Sequence, residues 1–392
     1  MAHSRFAEFD DLSVDDLRRR RSEKWTRFPA DVLPAAVAEM DFALAAPVRE
    51  RLQSAVDLGD LGYASPDQHD LADAFVAYAL ERLDWQVDPA GVVPVTDVMV
   101  GVAEVLRRTT TPGAGVIVNP PVYPPFFSTI EEVGRRVVEA PLARAGGRYD
   151  LDLDAVERAF EAGARAYLLC NPHNPTGRVW SAPQLRAVAE LAERYDATVL
   201  VDEVHAPLVL PGTSHQPYVA LGGYAAHRGI TITAASKAWN FAGLKCAVLV
   251  TEPGPMRTLV DGLPTDLRDR VGHLGILASS AAWRHGGRWL DDLHAVLDRN
   301  RRLLGGLLQA HLPEIGYAPP AASFLAWLDC RRLGLGDDPA AQFLERGRVA
   351  LVPGLAFGTP GAGFARLNFG TSADILTDAV QRMAAAVTQT TR

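Results

Sequence analysis

The chain of 392 residues is long enough for two domains and at least one large core. Its 48% hydrophobic and 22% charged residues are a globular composition, and a net charge of −8 argues against nucleic acid or an anionic membrane surface as main partner. Apolar runs are strand-sized, far short of the roughly 20 residues of a membrane helix, and three scattered cysteines (Cys170, Cys246, Cys330) give neither metal spacing nor an even disulfide set.

The first 16 residues alternate charged and apolar side chains and lack a signal-peptide core, so a cytoplasmic protein is expected. A short helix from Ser13 is predicted to carry the basic run Arg18-Arg19-Arg20-Arg21 on a solvated face. Val37 to Phe42 reads as an extended piece leading into a helix over 47–56. Helical spacing recurs over 71–83 and over 98–108, where Thr111-Pro112-Gly113 stops it. The pattern then settles into strands alternating with helices: strands at 116–118, 167–170, 198–201, 230–235 and 246–250, helices at 126–133 and 182–195. Ser181 and Gln184 form a capping box at the start of the last helix. This alternation predicts a mostly parallel sheet covered by helices on both faces. From about Trp289 a long amphipathic helix, 290–312, and separated strands at 323–328, 349–352 and 365–369 predict a smaller α+β domain. The expected division is an arm over 1–46 packing on the small domain, a large domain over 47–288 and a small domain over 289–392.

Three of the predicted strands run out into polar groups. The run at 167–170 meets Asn171-Pro172-His173-Asn174-Pro175-Thr176-Gly177, the run at 198–201 meets Asp202-Glu203-Val204-His205, and the run at 230–235 meets Ser236-Lys237. Open α/β sheets bind ligands in the crevice at the carboxyl ends of their strands. A carboxylate beside a lysine amine there suits a cofactor with a basic ring nitrogen and an aldehyde, which is pyridoxal phosphate.

These motifs in this order resemble the fold-type I pyridoxal-phosphate enzymes of the class I/II aminotransferase superfamily. Ala38-Glu39-Met40-Asp41-Phe42, the histidine within Asn171–Gly177, Asp202-Glu203-Val204-His205-Ala206 and Ser236-Lys237-x-x-Asn240-x-Ala242-Gly243-Leu244 resemble more narrowly the MalY/PatB branch of cystathionine, or cysteine-S-conjugate, β-lyases. The resemblance covers about 31–369 and implies an aspartate-aminotransferase-like fold with a seven-stranded-type sheet. It assigns Lys237 as the group that holds the cofactor aldehyde and then acts as base, Asp202 as the partner of the ring nitrogen, and Asn174 as donor to the phenolic oxygen. His205 would support that oxygen, and Tyr123 would stack on the ring. Val98 and Met99 at a helix start, with Ser236 and Lys245, would hold the phosphate. Arg366, in Ala365-Arg366-Leu367-Asn368, would clamp the substrate carboxylate as a planar fork, with Asn174 and Tyr63 also reaching the substrate. Tyr63 would reach the cofactor phosphate in the neighbouring subunit's site, which implies a homodimer.

Plain structural readings stay open beside these. His205 and Tyr123 could be packing residues, Asn171–Gly177 a tight turn, Asp202 a helix cap, Lys237 a surface lysine, and Lys245 and Arg366 exposed strand-edge cations. At one position the chain departs from the family: Asp97 stands where glycine is usual. An acid beside a phosphate dianion must turn away or cap the helix. The activity expected is β-elimination from cystathionine or cysteine S-conjugates, giving thiol, pyruvate and ammonia. The alternative is an aminotransferase. Less favoured are a specialised biosynthetic enzyme for a sulfur-bearing amino acid and a regulatory protein that only holds the cofactor.

Overall fold

The computed structural model describes residues 7–65 and 69–388; residues 1–6 of the expected arm, 66–68 of the large domain and 389–392 of the small one lie outside them. Seven strands form the main sheet: β1 (Val92–Val95), β2 (Gly115–Val118), β3 (Arg136–Glu139), β4 (Ala166–Cys170), β5 (Thr198–Asp202), β6 (Gly229–Thr233) and β7 (Ala247–Val250). Their order is β1-β7-β6-β5-β4-β2-β3. Only β7 runs antiparallel to its neighbours, as its pairings with β1 and β6 show. The apolar sequence of β4 and the β-branched ones of β5 and β6 leave every residue buried. Successive side chains feed two separate cores: Tyr167 and Leu169 pack on one face of β4, Ala166, Leu168 and Cys170 on the other. Because β4, β5 and β6 are parallel, their carboxyl ends share one edge, which places Asp202 beside the loops after Cys170 and Thr233.

The helix Val98–Thr109 lies close against this sheet. At Gly101 a Cβ would come within 3.3 Å of Leu249 Cδ2 and Val95 Cγ2, so glycine lets the helix sit close to the sheet where a larger residue would have to displace those methyls by a few tenths of an ångström. A second, antiparallel sheet joins Gly316–Tyr317, Leu325–Asp329, Phe364–Asn368 and Val352–Pro353 in that order. The helix Gly287–His311 spans the expected boundary at 288/289 and packs along the helix Ala373–Thr388. Among the described residues no helix is long and apolar enough to cross a membrane.

Two local expectations are corrected. The helix from Ser13 is only Val14–Leu17, so the four arginines follow it instead of riding on it. Past the helix the Arg20 guanidinium turns inward and donates to the Asp41 carbonyl at 2.8 Å, so this arginine makes a tertiary contact and not a solvated helix face. The strand expected at 349–352 splits in two. Val349–Ala350 pairs in parallel with Leu33–Pro34, whereas Val352–Pro353 pairs with Arg366 and Ala365 in the small sheet.

Candidate active site

A cavity of about 220 Å³ opens at the carboxyl edge of the main sheet, lined by Asp97, Val98, Met99, Tyr123, Asn174, Asp202, His205, Ser236, Lys237 and Lys245 among others. Nine sequence-predicted site residues therefore meet in one place. Two do not line it. Arg366 stands just behind Asn174, donating to its Oδ1 at 3.2 Å. Tyr63 is 97% exposed and away from this chain's cavity.

Asp202 ends β5. Its Oδ1 accepts the Val204 amide at 3.0 Å, yet burial outweighs that bond and raises the acid to about 6. Lys237 differs from its expected position at a strand end: β6 stops at Thr233, and the lysine sits in the turn that follows. Burial and then the Arg366 charge lower its amine from 10.5 to about 8, and Nζ donates to the Ala38 carbonyl at 3.1 Å. The readings of Lys237 as a surface lysine and Arg366 as a solvent-facing edge residue fail on burial; the Arg366 guanidinium is buried and lowered to about 10. His205 is buried against Phe324, with Nδ1 unpartnered, and is lowered to about 3 by burial and by the charges of Lys237 and Arg366. It is neutral at any working pH. Tyr123 is raised to about 12, mainly by burial and then by the Asp202 charge, and meets Phe126 edge-on.

At the helix start Asp97 caps, as the second of its two expectations allowed. Its Oδ1 accepts the Val100 amide at 2.9 Å, and Oδ2 pairs with Lys245 Nζ at 3.0 Å. The amides of Val98 and Met99 have no intrahelical acceptors.

The strap 36–42 contributes Ala38 to the cavity lining, and no single side chain in it would have flagged its role. Its carbonyls are held one after another: Ala36 by Arg366 at 3.1 Å, Val37 and Glu39 by Asn368 at 2.7 Å each, Ala38 by Lys237. Asn240 brackets Met40, accepting from its amide at 2.9 Å and donating to its carbonyl at 2.8 Å. A buried ion pair, Lys24 Nζ to Asp41 Oδ2 at 2.8 Å, anchors the strap, and Trp25 donates to Asp41 Oδ1 at 2.8 Å. Asn240 lay in a quoted motif without a role. Cys170, Val204, Ala234, Ala242, Cys246 and Ala247 also line the cavity, and nothing in their residue types marked them.

The donor set fits pyridoxal phosphate. The buried Asp202 carboxylate suits a basic ring nitrogen, an amine of lowered basicity suits an aldehyde, and with Asn174 Oδ1 bound to Arg366 its NH₂ is left to donate to a phenolic oxygen. The Ser236 hydroxyl, two free helix amides and Lys245 suit a phosphate. Among the described residues no group of three or more His, Cys, Asp or Glu side chains could hold a metal.

Comparison with known proteins agrees. Residues 36–383 match the model of the family "Aminotransferase class I and II". The cystathionine beta-lyase of Corynebacterium glutamicum is 37% identical over 377 residues, covering 95% of this chain and 98% of that one. The cystathionine beta-lyase PatB of Bacillus subtilis (strain 168) is 35% identical over 363 residues, covering 91% and 93%. Among solved structures, cystalysin from Treponema denticola, which contains a pyridoxal 5'-phosphate cofactor, superposes with a TM-score of 0.89 at 26% identity over the whole of both chains. The chain belongs to the aminotransferase class I and II family, in its pyridoxal-phosphate-dependent cystathionine β-lyase branch.

Proposed function

We propose that the protein is a pyridoxal-phosphate-dependent carbon–sulfur β-lyase acting on cystathionine or other cysteine S-conjugates, with Lys237 as its base. The observation that carries the site assignment is one cavity edge where Lys237, Asp202, Asn174 and, one residue back, Arg366 converge. Relatives named cystathionine beta-lyase over nine-tenths of the chain support the choice of reaction.

When bound, the cofactor supplies an electron sink for the pair left at Cα. Arg366 takes the substrate α-carboxylate as a two-pronged donor and so sets which Cα bond faces the ring. Lys237, already lowered toward neutrality, removes the Cα proton onto Nζ. Asp202 would hold its negative charge toward the ring nitrogen, and Asn174 with neutral His205 would support the phenolic oxygen. The Cβ–S bond then breaks, the thiolate departs, and one water completes the conversion to pyruvate and ammonia. Tyr123 covers the ring face. Val98, Met99, Ser236 and Lys245 hold the phosphate.

The test is a panel of cystathionine, cysteine and S-alkyl cysteines read by pyruvate and thiol. Release from none of them would reject the lyase. Transamination is the second reading, because the family description covers it and the same base serves both; it predicts multiple-turnover amino transfer to a 2-oxo acid.

Assembly and organisation belong to the same proposal. We assign an arm over 1–46, a large domain over 47–288 and a small domain over 289–392, supported by the pairing of Leu33–Pro34 with Val349–Ala350. A homodimer is supported by exposed Leu58, Leu61 and Tyr63 clustered beside the helix Ala46–Leu58. Three buried cysteines without disulfides suit the cytoplasm.

A further inference from the structure

Asp97 was the one residue out of pattern, and its place in the fold gives it a second task. Its carboxylate sits between two groups a phosphate would use, the start of the helix Val98–Thr109 and the Lys245 ammonium. Lys245 is fixed at its backbone. It adopts a left-handed backbone (φ 56°), a conformation that suits glycine and costs other residues free energy, and its carbonyl accepts the Gly272 amide. That backbone caps the short turn Ala242–Leu244 and fixes where the ammonium is presented, and there it is already paired with an acid.

We propose that Asp97 is a resident counter-anion of the phosphate site, which occupies Lys245 when the cofactor is absent and weakens the protein's hold on the cofactor phosphate. This rests on the pyridoxal-phosphate reading of the cavity. An incoming dianion meets the Asp97 charge and must share or displace it at Lys245, so each binding event works against a like charge. The unphosphorylated aldehyde meets no such opposition, because it places no charge at the helix start. Asp97 thus makes the cofactor more readily exchanged than the helix amides, Ser236 and Lys245 alone would allow.

The charge and the cap can be separated. Asp97→Asn keeps an Oδ1 acceptor for the Val100 amide, and asparagine caps helices as well as aspartate does. Apoprotein is titrated with pyridoxal phosphate and, separately, with pyridoxal, following the absorbance of the lysine-bound aldehyde, for wild type, Asp97→Asn and Lys245→Met. Asp97→Asn should bind pyridoxal phosphate about tenfold more tightly at low salt, with the gain shrinking in 1 M salt and no change for pyridoxal. Lys245→Met should bind pyridoxal phosphate more weakly than wild type. Equal or weaker binding by Asp97→Asn, or the same gain for pyridoxal, would overturn the proposal. A melting temperature within a few degrees of wild type verifies that the variant is folded, and Asp97→Ser repeats the comparison with a different cap. Failure of the wild-type protein to bind pyridoxal phosphate at all would reject the site reading itself, a distinct outcome.

Discussion

At the residue scale the site is defined by what burial does to three charges. Lys237 loses basicity because its ammonium is poorly solvated, and the Arg366 charge pushes the same way. Only the neutral amine attacks an aldehyde, so the rate at which apoprotein captures the cofactor should rise with pH to a midpoint near 8; a midpoint near 10 would mean an ordinary lysine. Asp202 shifts the other way. A carboxyl raised from 3.8 to about 6 by burial favours the folded apoprotein below pH 4, and that advantage is lost as pH climbs to 6. Apo Asp202→Asn should therefore be more stable than wild type by roughly 3 kcal/mol at pH 7.5, the gap closing toward pH 4, in urea melts at each pH. Arg366→Ala should raise KM on the order of 100-fold while the cofactor stays bound, since a lost charge-assisted fork is worth about 2–3 kcal/mol. Loss of cofactor instead would refute the assignment of Arg366 to the substrate carboxylate.

At the element scale the strap 36–42 connects the base to the carboxylate-binding arginine. Lys237 and Arg366 rest on carbonyls two residues apart, and the strap is fixed by Asn240, Asn368 and the buried Lys24–Asp41 pair. Removing Lys24 leaves a buried, uncompensated carboxylate. Lys24→Met should cost about 3–5 kcal/mol in urea unfolding, and adding Asp41→Asn should recover most of it, because a neutral pair carries no stranded charge. A strap whose anchor was unimportant would leave both variants like wild type. The central elements were legible in the sequence because β4, β5 and β6 are continuous apolar runs that stop abruptly at polar residues, and a buried parallel strand has no other appearance. The helix 182–194 announced itself by its capping box, in which Gln184 accepts from the Ser181 amide at 2.9 Å. The strap was not legible in this sense: its bonds go through backbone carbonyls to side chains some 200 and 330 residues away. The edge strand β3, half exposed and only four residues long, carried too little pattern to be seen.

At the scale of the whole molecule the proposed homodimer turns on the position of Tyr63. A tyrosine 97% exposed beside exposed Leu58 and Leu61 suits a surface that a second copy covers. Sedimentation should give a particle of twice the 42.3 kDa chain. If Tyr63 serves the partner's site, Tyr63→Ala and Lys237→Ala homodimers should each be inactive, and mixing the two after denaturation and refolding should restore activity through sites that pair one intact Lys237 with one intact Tyr63. Absence of restoration would confine Tyr63 to its own subunit or to no site. Sequence could suggest this sharing only through the family, because no spacing within one chain encodes a contact made between two. The most direct test of the account as a whole is the stoichiometry of products from cystathionine and S-alkyl cysteines. Wild-type protein should release thiol and pyruvate in equal amounts over many turnovers, and Lys237→Ala should release neither. Amino transfer to a 2-oxo acid without pyruvate, or full activity in Lys237→Ala, would contradict it.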